Sequence, residues 1–409
     1  MKPLHESTQK LYMIWFTIAF TATLSLVSTI LTGCTKNVEP VSRTGFYFDT
    51  VIQITLYDTE DAAVLDGCFA LAEKYENLFS ATKEGSDVWN INHAGGETVT
   101  VSEETAKLLI LAADYANTTE GAIDPTIRPV SELWDFGSEG DAHVPDDAAI
   151  KEALSHVSFD NIRFGTAPSD GTGESVYRTV TLTDKKAAVD LGFIAKGYIA
   201  DRMKEYLLSQ NVKSACISLG GNVLAVGEKP DGSPFRVGIQ EPFAETGKSL
   251  DTIEIRDTSV VTSGIYERCF YEDGVLYHHV LDTATGCPVD NELAGVTIIC
   301  PSSVKADALS TACLCLGLED GRKLLDAEKD VAYLLVTRDG VQYRSENFPA
   351  NDRCMGNSSV TYERLFACLY KFGKKYHNPD CSIQSHSQTL LLLGKAANML
   401  PDSLLRLPL

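Results

Sequence analysis

Asp307 and Thr311 form the pair of side chains whose spacing points most directly to chemistry. They lie four positions apart in the run ADALSTA at 306–312, so a helix would place both oxygen groups on one face. Mg²⁺ favours such oxygen ligands and completes its octahedron with waters and phosphate oxygens. The pair therefore predicts a site for Mg²⁺ and a phosphorylated ligand. The alternative is a solvated Asp with a Thr that bonds back to the helix.

Two glycine-containing bends would let an anionic ligand approach the backbone. In VDLGFIAKGY at 189–198, a strand end delivers Asp190 and a bend at Gly192 into a helix, whose first N–H groups and dipole favour an anion. In SLGGN at 218–222, a strand ends in two glycines that carry no Cβ to block a ligand. A tight turn is the ordinary explanation of the second segment.

Three further segments contribute polar groups. The sequence GAIDPT at 121–126 contains an Asp-Pro-Thr step, which by itself indicates a turn closed by an Asx-type hydrogen bond. The sequences SGIY at 263–266 and HHVLD at 278–282 bring a Ser and two His. A neutral imidazole such as that of His279 can accept a proton from a hydroxyl group. A strand histidine packed on its neighbours is the alternative.

In their order along the chain, these segments resemble the ApbE family of FAD:protein FMN transferases. The resemblance covers Phe46 to Thr337 and rests on D-x-T, V-D-L-G-x-I-A-K-G, L-G-G-N, S-G-x-Y, H-H-x-x-D and A-D-x-L-S-T-A taken together. It implies an enzyme that cleaves the FAD pyrophosphate with Mg²⁺, releases AMP and joins FMN through its phosphate to a Thr hydroxyl of an acceptor protein. The implied acceptor is a membrane redox-pump subunit or an extracellular FMN-binding domain.

The resemblance also implies roles for individual residues. Asp307 and Thr311 would be side-chain ligands of the metal, and the backbone carbonyl of Phe193 would be the third protein ligand. His279 would be the general base for the acceptor hydroxyl, which is a poor nucleophile on its own. One departure is Thr82, where some members carry an aromatic residue, so stacking on the flavin or adenine would come from elsewhere. The residues implied to contact FAD or shape its pocket are Phe48, Ala122, Ile123, Asp124, Asp190, Lys196, Gly220, Gly221, Asn222 and Leu281.

Two other functions fit the same residues. Water in place of the Thr hydroxyl would make the chain a Mg²⁺-dependent FAD pyrophosphatase, which yields FMN and AMP. A flavin-binding lipoprotein without turnover is the non-catalytic alternative. The combination of Asp307, Thr311 and His279 favours catalysis, because a carrier needs neither a metal nor a base.

The composition limits the class of protein. The chain has 409 residues, 44% of them hydrophobic, which indicates a folded core and excludes a disordered chain. Its 56 acidic and 35 basic residues give a net charge of −21, which repels nucleic-acid backbones and excludes nucleic-acid binding as the main role. The 11 Cys include no C-x-x-C pair and no zinc-type His spacing, so no structural zinc site is expected.

Residues 1–33 have the pattern of a bacterial lipoprotein signal peptide. Lys2 and Lys10 accompany an uncharged apolar run at 11–31, and a lipobox-like LTGC ends at Cys34. We therefore expect lipidation of Cys34 and an extracytoplasmic protein anchored to the cell membrane by its lipid. An uncleaved membrane anchor is the alternative, because the run is long enough to span a bilayer.

After the signal peptide we expect a linker at 34–44, a catalytic domain at 45–344 and an atypical C-terminal extension at 345–409 with no assigned function. The later strands follow one another through short turns, which indicates an α+β fold of mostly antiparallel sheets flanked by helices, in one large catalytic unit with two intertwined subdomains. Hydrophobic periodicity predicts helices at 61–79, 102–119, 195–210 and 305–316. The predicted strands are 45–57, 214–219, 235–239, 250–255, 260–263, 275–280 and 296–300, with a hairpin of 180–182 and 187–190 and loops at 137–147 and 165–174.

Overall fold

An eight-stranded antiparallel sheet forms the centre of the fold. The computed structural model describes residues 38–137, 142–169, 174–245 and 247–349. Its strands are β1 (Val41–Tyr47), β2 (Thr50–Leu56), β3 (Val99–Thr100), β4 (Ile162–Pro168), β5 (Ser175–Leu182), β6 (Ser214–Leu219), β7 (Asn222–Gly227), β8 (Phe235–Gln240), β9 (Ser249–Ile255), β10 (Ser259–Gly264), β11 (Cys269–Glu272), β12 (Val275–His278), β13 (Leu293–Cys300), β14 (Ala332–Thr337) and β15 (Gln342–Arg344). Its helices are α1 (Ala62–Phe79), α2 (Asp87–Asn92), α3 (Glu103–Thr118), α4 (Arg128–Trp134), α5 (Asp147–Leu154), α6 (Ala195–Ser209) and α7 (Ser303–Asp326).

The strand pairing confirms the α+β, mostly antiparallel fold class. The large sheet has the order β1-β2-β6-β7-β10-β13-β14-β15, and smaller sheets have the orders β3-β5-β4, β8-β9 and β11-β12. All of these strand pairs are antiparallel. Antiparallel neighbours need only short connections, as the sequence pattern indicated.

Helices α1, α6 and α7 cover one face of the large sheet. Side chains alternate along a strand, so Ile52 and Ile54 of β2 point into this layer, where Leu65 of α1 and Met203 of α6 join them. Leu309 of α7 packs on β10, β13 and β14 in an adjoining cluster. Burying each such side chain contributes about 1.5–3 kcal/mol, and the layer thereby fixes α6 and α7 against the sheet.

The β8–β9 hairpin covers the opposite face. Its Phe235 and Ile253 pack against Ile299 and Leu334 of the large sheet. Because β13 has a cover on both faces, all eight of its residues are buried. The sheet is therefore a rigid platform for the turns at its ends.

Capping side chains set the starts of the predicted helices. The Asp61 carboxylate accepts a hydrogen bond from the Ala63 N–H at 2.9 Å, and the Ser102 hydroxyl accepts one from the Thr105 N–H at 3.0 Å. The predictions for α1, α3 and α6 are confirmed to within two residues. Helix α7 consists of two helices that meet at a kink at Gly317, whose φ of 78° and ψ of −175° are not helical, so the predicted helix end at 316 coincides with the end of the first one.

The prediction of one strand over 45–57 is wrong, because the chain reverses at Phe48 and Asp49. Both residues have positive φ, 53° and 54°, as a two-residue hairpin turn requires. The Phe48 N–H donates to the Glu76 carboxylate of α1 at 2.9 Å, which helps to hold this turn without a glycine. The predicted linker at 34–44 is also too long, since Val41 already pairs with β2.

The predicted hairpin of 180–182 and 187–190 is wrong as well. Residues 180–182 end strand β5, which pairs with β4, and β4 extends into the predicted loop at 165–174. A β-bulge between Gly165 and Thr166 interrupts the β4 register, which weakens the alternation that marks a strand. Ala188 forms an isolated β-bridge with Ile127, so the segment 187–190 is not a strand paired with 180–182.

Several short elements have too little periodicity to be predicted. They are β3, β7, β11, β14, β15, α2, α4 and α5. Strand β12 ends at His278, two residues before the predicted end, so His279 follows the strand rather than lying within it.

The folded region continues slightly beyond 344, the predicted end of the domain. Phe348 is buried in the β8–β9 cluster, and the Tyr333 N–H donates to the Ser345 hydroxyl at 2.9 Å. The chain divides into one unit up to Asn351 and a second from Asp352. The second unit, the predicted signal peptide and Cys34 lie outside the described residues.

Two observations concern the described residues only. No helix among them is both long and apolar enough to cross a membrane. Their cysteines are free thiols, and those at 68, 300 and 313 are buried as small apolar side chains.

Candidate active site

Asp307 is held at the start of helix α6 by tertiary contacts. Its side chain is only 2% exposed, and one carboxylate oxygen accepts a hydrogen bond from the Gly197 N–H at 2.8 Å. Gly197 lies in the first turn of α6, where the helix dipole favours a negative charge. Burial raises the pKa of Asp307, while Lys196 and the Gly197 N–H act in the opposite direction.

The ammonium group of Lys196 lies between two oxygens of this site. It is 3.0 Å from the Gly192 carbonyl oxygen and 3.7 Å from the second carboxylate oxygen of Asp307. The carbonyl that faces the cation is thus that of Gly192, one residue before the predicted ligand Phe193. Oxygen atoms of the 189–198 bend and of α7 therefore converge on one cation.

The close crossing of α6 and α7 positions these groups. A Cβ at Gly197 would lie 2.3 Å from the carbonyl oxygen of Ser303 and 2.6 Å from the Cα of Val304. The Asp201 carboxylate accepts hydrogen bonds from the N–H groups of the same two residues, at 2.9 and 3.1 Å. Residue 197 must therefore be glycine, because only then can α6 pack closely against α7 and Asp201 accept hydrogen bonds from the first N–H groups of α7.

Thr311 lies one turn along α7 from Asp307. Its hydroxyl is 3.4 Å from the Asp307 carbonyl oxygen and 3.5 Å from the Ser263 hydroxyl at the end of β10. The Ser263 hydroxyl also contacts that of Ser310, at 2.7 Å. These contacts place the half-buried Thr311 hydroxyl where β10 meets α7.

His279 is joined to Arg268 through the backbone. Its backbone N–H donates to the Arg268 carbonyl at 3.1 Å, and its ring is half-buried. Burial, followed by the charge of Arg268, lowers its pKa to about 3, and Lys196 acts in the same direction. Within the part of the chain that the structure describes, Nδ1 of His279 has no hydrogen-bond partner. The imidazole is therefore neutral across the physiological pH range.

The neighbouring His278 has a structural environment. It is 1% exposed, and burial lowers its pKa to about 4. Of the two adjacent histidines, His279 is thus the less buried one.

Glu267 is a charged residue of the site that the motifs do not include. It is exposed to solvent, and one of its carboxylate oxygens lies 3.3 Å from the position of a Cβ on Gly221. Desolvation by the surrounding protein raises the pKa of Glu267, the charges of Lys196 and Arg268 oppose the rise, and the charge of Asp307 adds to it. Its position directly after the SGIY segment is the only signal that would have found it in the sequence.

The predicted residues Asp190, Gly220 and Gly221 shape the turns around this cluster. The Asp190 carboxylate accepts from the Gly192 N–H at 2.7 Å and lies 3.5 Å from the Arg128 guanidinium, which fixes the bend before α6. Gly220 has φ 65°, and a Cβ on Gly221 would lie 2.6 Å from the backbone oxygen of Thr262. Both turn positions therefore require glycine.

Three other predicted residues, Asp124, Asn222 and Leu281, make hydrogen bonds or packing contacts within the protein. Asp124 accepts hydrogen bonds from the Thr126 N–H and hydroxyl and from the Phe159 N–H at 2.6–2.8 Å, so its carboxylate closes an Asx-type turn. Asn222 is fully buried and accepts from the Ser303 hydroxyl at 2.9 Å.

Leu281, the third of these residues, packs against Trp134 in a small separate core. Of the remaining predicted residues, Ile123 is buried, Ala122 is half-buried, and Phe48 occupies the β1–β2 turn. This turn lies near Arg268, because the Arg268 guanidinium donates to the Asp49 carbonyl at 3.3 Å.

The described residues hold no group of three or more His, Cys, Asp or Glu placed to bind a metal.

The chain has clear relatives among known proteins. Residues 48–335 match the model of the ApbE family. An FAD:protein FMN transferase of Klebsiella pneumoniae (strain 342) is 37% identical over 288 residues, which are 70% of this chain and 86% of the relative. The protein of that name from Treponema pallidum (strain Nichols) is 35% identical over 306 residues, 72% of this chain and 83% of the relative.

Solved structures extend the similarity to the fold. The ApbE protein of Thermotoga maritima aligns with a TM-score of 0.67 and 33% identity, over 75% of this chain and 97% of that one. The flavin transferase ApbE of Vibrio cholerae aligns with a TM-score of 0.65 and 28% identity, over 76% of this chain and 98% of that one. From the family match, the sequence identities and the shared fold, we conclude that this chain belongs to the ApbE family.

Proposed function

We propose that this chain transfers FMN from FAD to a threonine hydroxyl of an acceptor protein, with Mg²⁺, forming a phosphoester bond and releasing AMP. Transfer of FMN from FAD to a protein is the activity that its relatives' names state. The observation that carries the proposal is the Lys196 ammonium between the Gly192 carbonyl oxygen and the buried Asp307 carboxylate at the start of α6. This arrangement offers a position for a cation, and His279, whose pKa the charge of Lys196 helps to lower, offers a neutral base.

The residues present fit Mg²⁺. Asp307 and Thr311 offer a carboxylate and a hydroxyl, and the bend at 192–193 offers backbone carbonyls. The Lys196 ammonium already marks a position that two of these oxygens favour for a cation. Mg²⁺ suits a site with few protein ligands, because it keeps several waters and binds substrate phosphates. When bound, it would neutralise the charge that develops on the phosphoryl oxygens.

His279 would act as the general base. The acceptor Thr oxygen attacks the phosphorus of the FMN half of FAD, its proton passes to the His279 imidazole, and the bond from this phosphorus to the AMP phosphate oxygen breaks. AMP departs with that oxygen and its electron pair. In the ligand-free protein burial, together with the charges of Arg268 and Lys196, keeps His279 a weak base. The negative pyrophosphate would raise its pKa, so the ring becomes a stronger base when the donor is bound.

Localisation forms a second part of the proposal. We propose that Cys34 is lipidated and holds the enzyme outside the cytoplasm at the cell membrane, where it meets its acceptor. The lipobox-like sequence supports this. Cys34→Ala should yield protein released from the membrane fraction or unprocessed precursor. A membrane-bound variant of normal mature size would contradict lipidation.

The proposed activity is tested with purified protein, FAD, Mg²⁺ and an acceptor that carries a Ser/Thr-Gly-Ala-x-x-Thr-like site. The expected products are AMP and a fluorescent flavinylated acceptor in denaturing gels. The matched control is the same acceptor with its final Thr replaced by Ala. Free FMN with an unmodified acceptor would instead indicate a pyrophosphatase, and bound FAD without AMP would indicate a carrier.

A further inference from the structure

We propose that the Lys196 ammonium occupies the cation position in the metal-free enzyme, and that metal binding displaces it towards the pyrophosphate of FAD. The inference rests on the proposed function, since it concerns the metal and the donor of that reaction. Its consequence is that Mg²⁺ and FAD promote each other's binding, with Lys196 as the positioning residue that couples them.

The contacts of Lys196 are those of a cation in a ligand site. Its Nζ lies 3.0 Å from the Gly192 carbonyl oxygen and 3.7 Å from an Asp307 carboxylate oxygen. Water reaches Asp307 poorly, because its side chain is 2% exposed. A cation from the protein therefore stabilises the charged form of this buried carboxylate when no metal is present.

The ammonium and a metal ion exclude each other from this position. Mg²⁺ binds oxygen at about 2.0–2.1 Å, so a metal on the Asp307 oxygen that faces Lys196 would place two cations within a few ångströms. Their repulsion is strong at this distance away from bulk water. Binding of the metal thus requires the Lys196 head group to leave.

The Lys196 head group can move, and a bound FAD would give it a new ionic partner. The Lys196 side chain is 31% exposed and extends from the first turn of α6, so its head group can move without disturbing the core. The helix start also favours the binding of an anion. An FAD pyrophosphate there would give the displaced ammonium the negative partner that it lost on Asp307.

The direct test measures metal affinity without FAD or acceptor. Mn²⁺ is titrated at pH 8 into the wild type, Lys196→Met and Arg268→Met, and free Mn²⁺ is followed by its electron paramagnetic resonance signal. We expect Lys196→Met to bind Mn²⁺ more tightly than the wild type, by roughly 5- to 150-fold, the usual range of coupling between sites. Arg268→Met removes an equal charge whose observed contact is Asp49 rather than Asp307. It should have a smaller effect.

A second measurement tests the coupling itself. FAD binding is followed by flavin fluorescence with and without Mg²⁺. Mg²⁺ should increase FAD affinity in the wild type and increase it less in Lys196→Met, because the displaced ammonium is absent. If Lys196→Met does not fold, Lys196→Gln supplies the same comparison.

The outcomes separate this inference from the proposed function. Mn²⁺ affinity in Lys196→Met that is equal to or weaker than that of the wild type would overturn the displacement, while flavin transfer by the wild type would still stand. An Arg268→Met effect as large as that of Lys196→Met would also overturn it, since charge alone would explain both. Absence of Mn²⁺ binding in both the wild type and Lys196→Met would refute the displacement and the metal site together.

Discussion

Gly197→Ala tests whether the crossing of α6 and α7 builds the active site. The added methyl group would lie 2.3 Å from the Ser303 carbonyl oxygen and 2.6 Å from the Val304 Cα. Ordinary contacts between carbon atoms are about 3.5–4.0 Å, so the two helices would have to separate by roughly 1 Å. Overpacking of this kind costs about 1–3 kcal/mol, even though alanine favours a helix more than glycine does.

The same displacement should impair catalysis. Asp307 lies on α7 and bonds to the Gly197 N–H of α6, so separating the helices moves the carboxylate from Lys196. A misplacement of about 1 Å can cost about 100-fold in rate. Thermal unfolding should show a Tm lower by several degrees, and the flavinylation assay should show a corresponding loss of rate.

The matched control is Leu208→Ala, on the exposed side of the same helix. It should change neither Tm nor rate substantially. Wild-type stability and activity in Gly197→Ala would refute the idea that this close crossing positions the site.

Three further predictions concern Asp307, His279 and His278. Asp307→Asn should fold almost normally, because its amide oxygen can still accept from Gly197, whereas Asp307→Ala should lose about 1–3 kcal/mol of unfolding free energy. Both should reduce transfer by orders of magnitude, and chemical denaturation with the flavinylation assay would measure the two effects. His279→Ala should reduce transfer by about 10²- to 10⁴-fold with FAD affinity nearly unchanged, and high pH should restore part of the rate; loss of FAD binding would make His279 a pocket residue instead. The pKa of His278 is about 4 when folded and about 6.5 when unfolded, so the unfolded chain binds the proton first as the pH falls. Stability should therefore decrease from pH 6.5 to pH 4, by up to about 1.4 kcal/mol per unit, and His278→Gln should remove that part of the slope.

Local signals in the sequence were sufficient to predict the long helices. Asp61 and Ser102 precede apolar periodicity that extends over several turns, and both cap helices whose starts were predicted at these residues. The β1–β2 turn had no such signal, because Phe48 and Asp49 adopt positive φ without the usual glycine or asparagine. A tertiary contact to Glu76 helps to stabilise that turn, and spacing along the chain does not reveal such a contact.

The site shows the same division between local and tertiary information. The four-residue spacing of Asp307 and Thr311 correctly predicted that both lie on one helix. The hydrogen bond from Gly197 to Asp307 joins residues 110 positions apart, so the sequence alone gave no reason to pair them. Glu267 was missed for a similar reason, since only the fold brings it towards Gly221. The Asx-turn alternative for Asp124 describes its observed hydrogen bonds.

Intact-mass measurement of the acceptor tests the central claim most directly. The purified enzyme is incubated with FAD, Mg²⁺ and an acceptor bearing the Thr site, and AMP is quantified in the same sample. The account predicts that the acceptor gains the mass of one FMN less one water, on that Thr, with one AMP released per modification. AMP and free FMN in equal amounts with an acceptor of unchanged mass would contradict transfer.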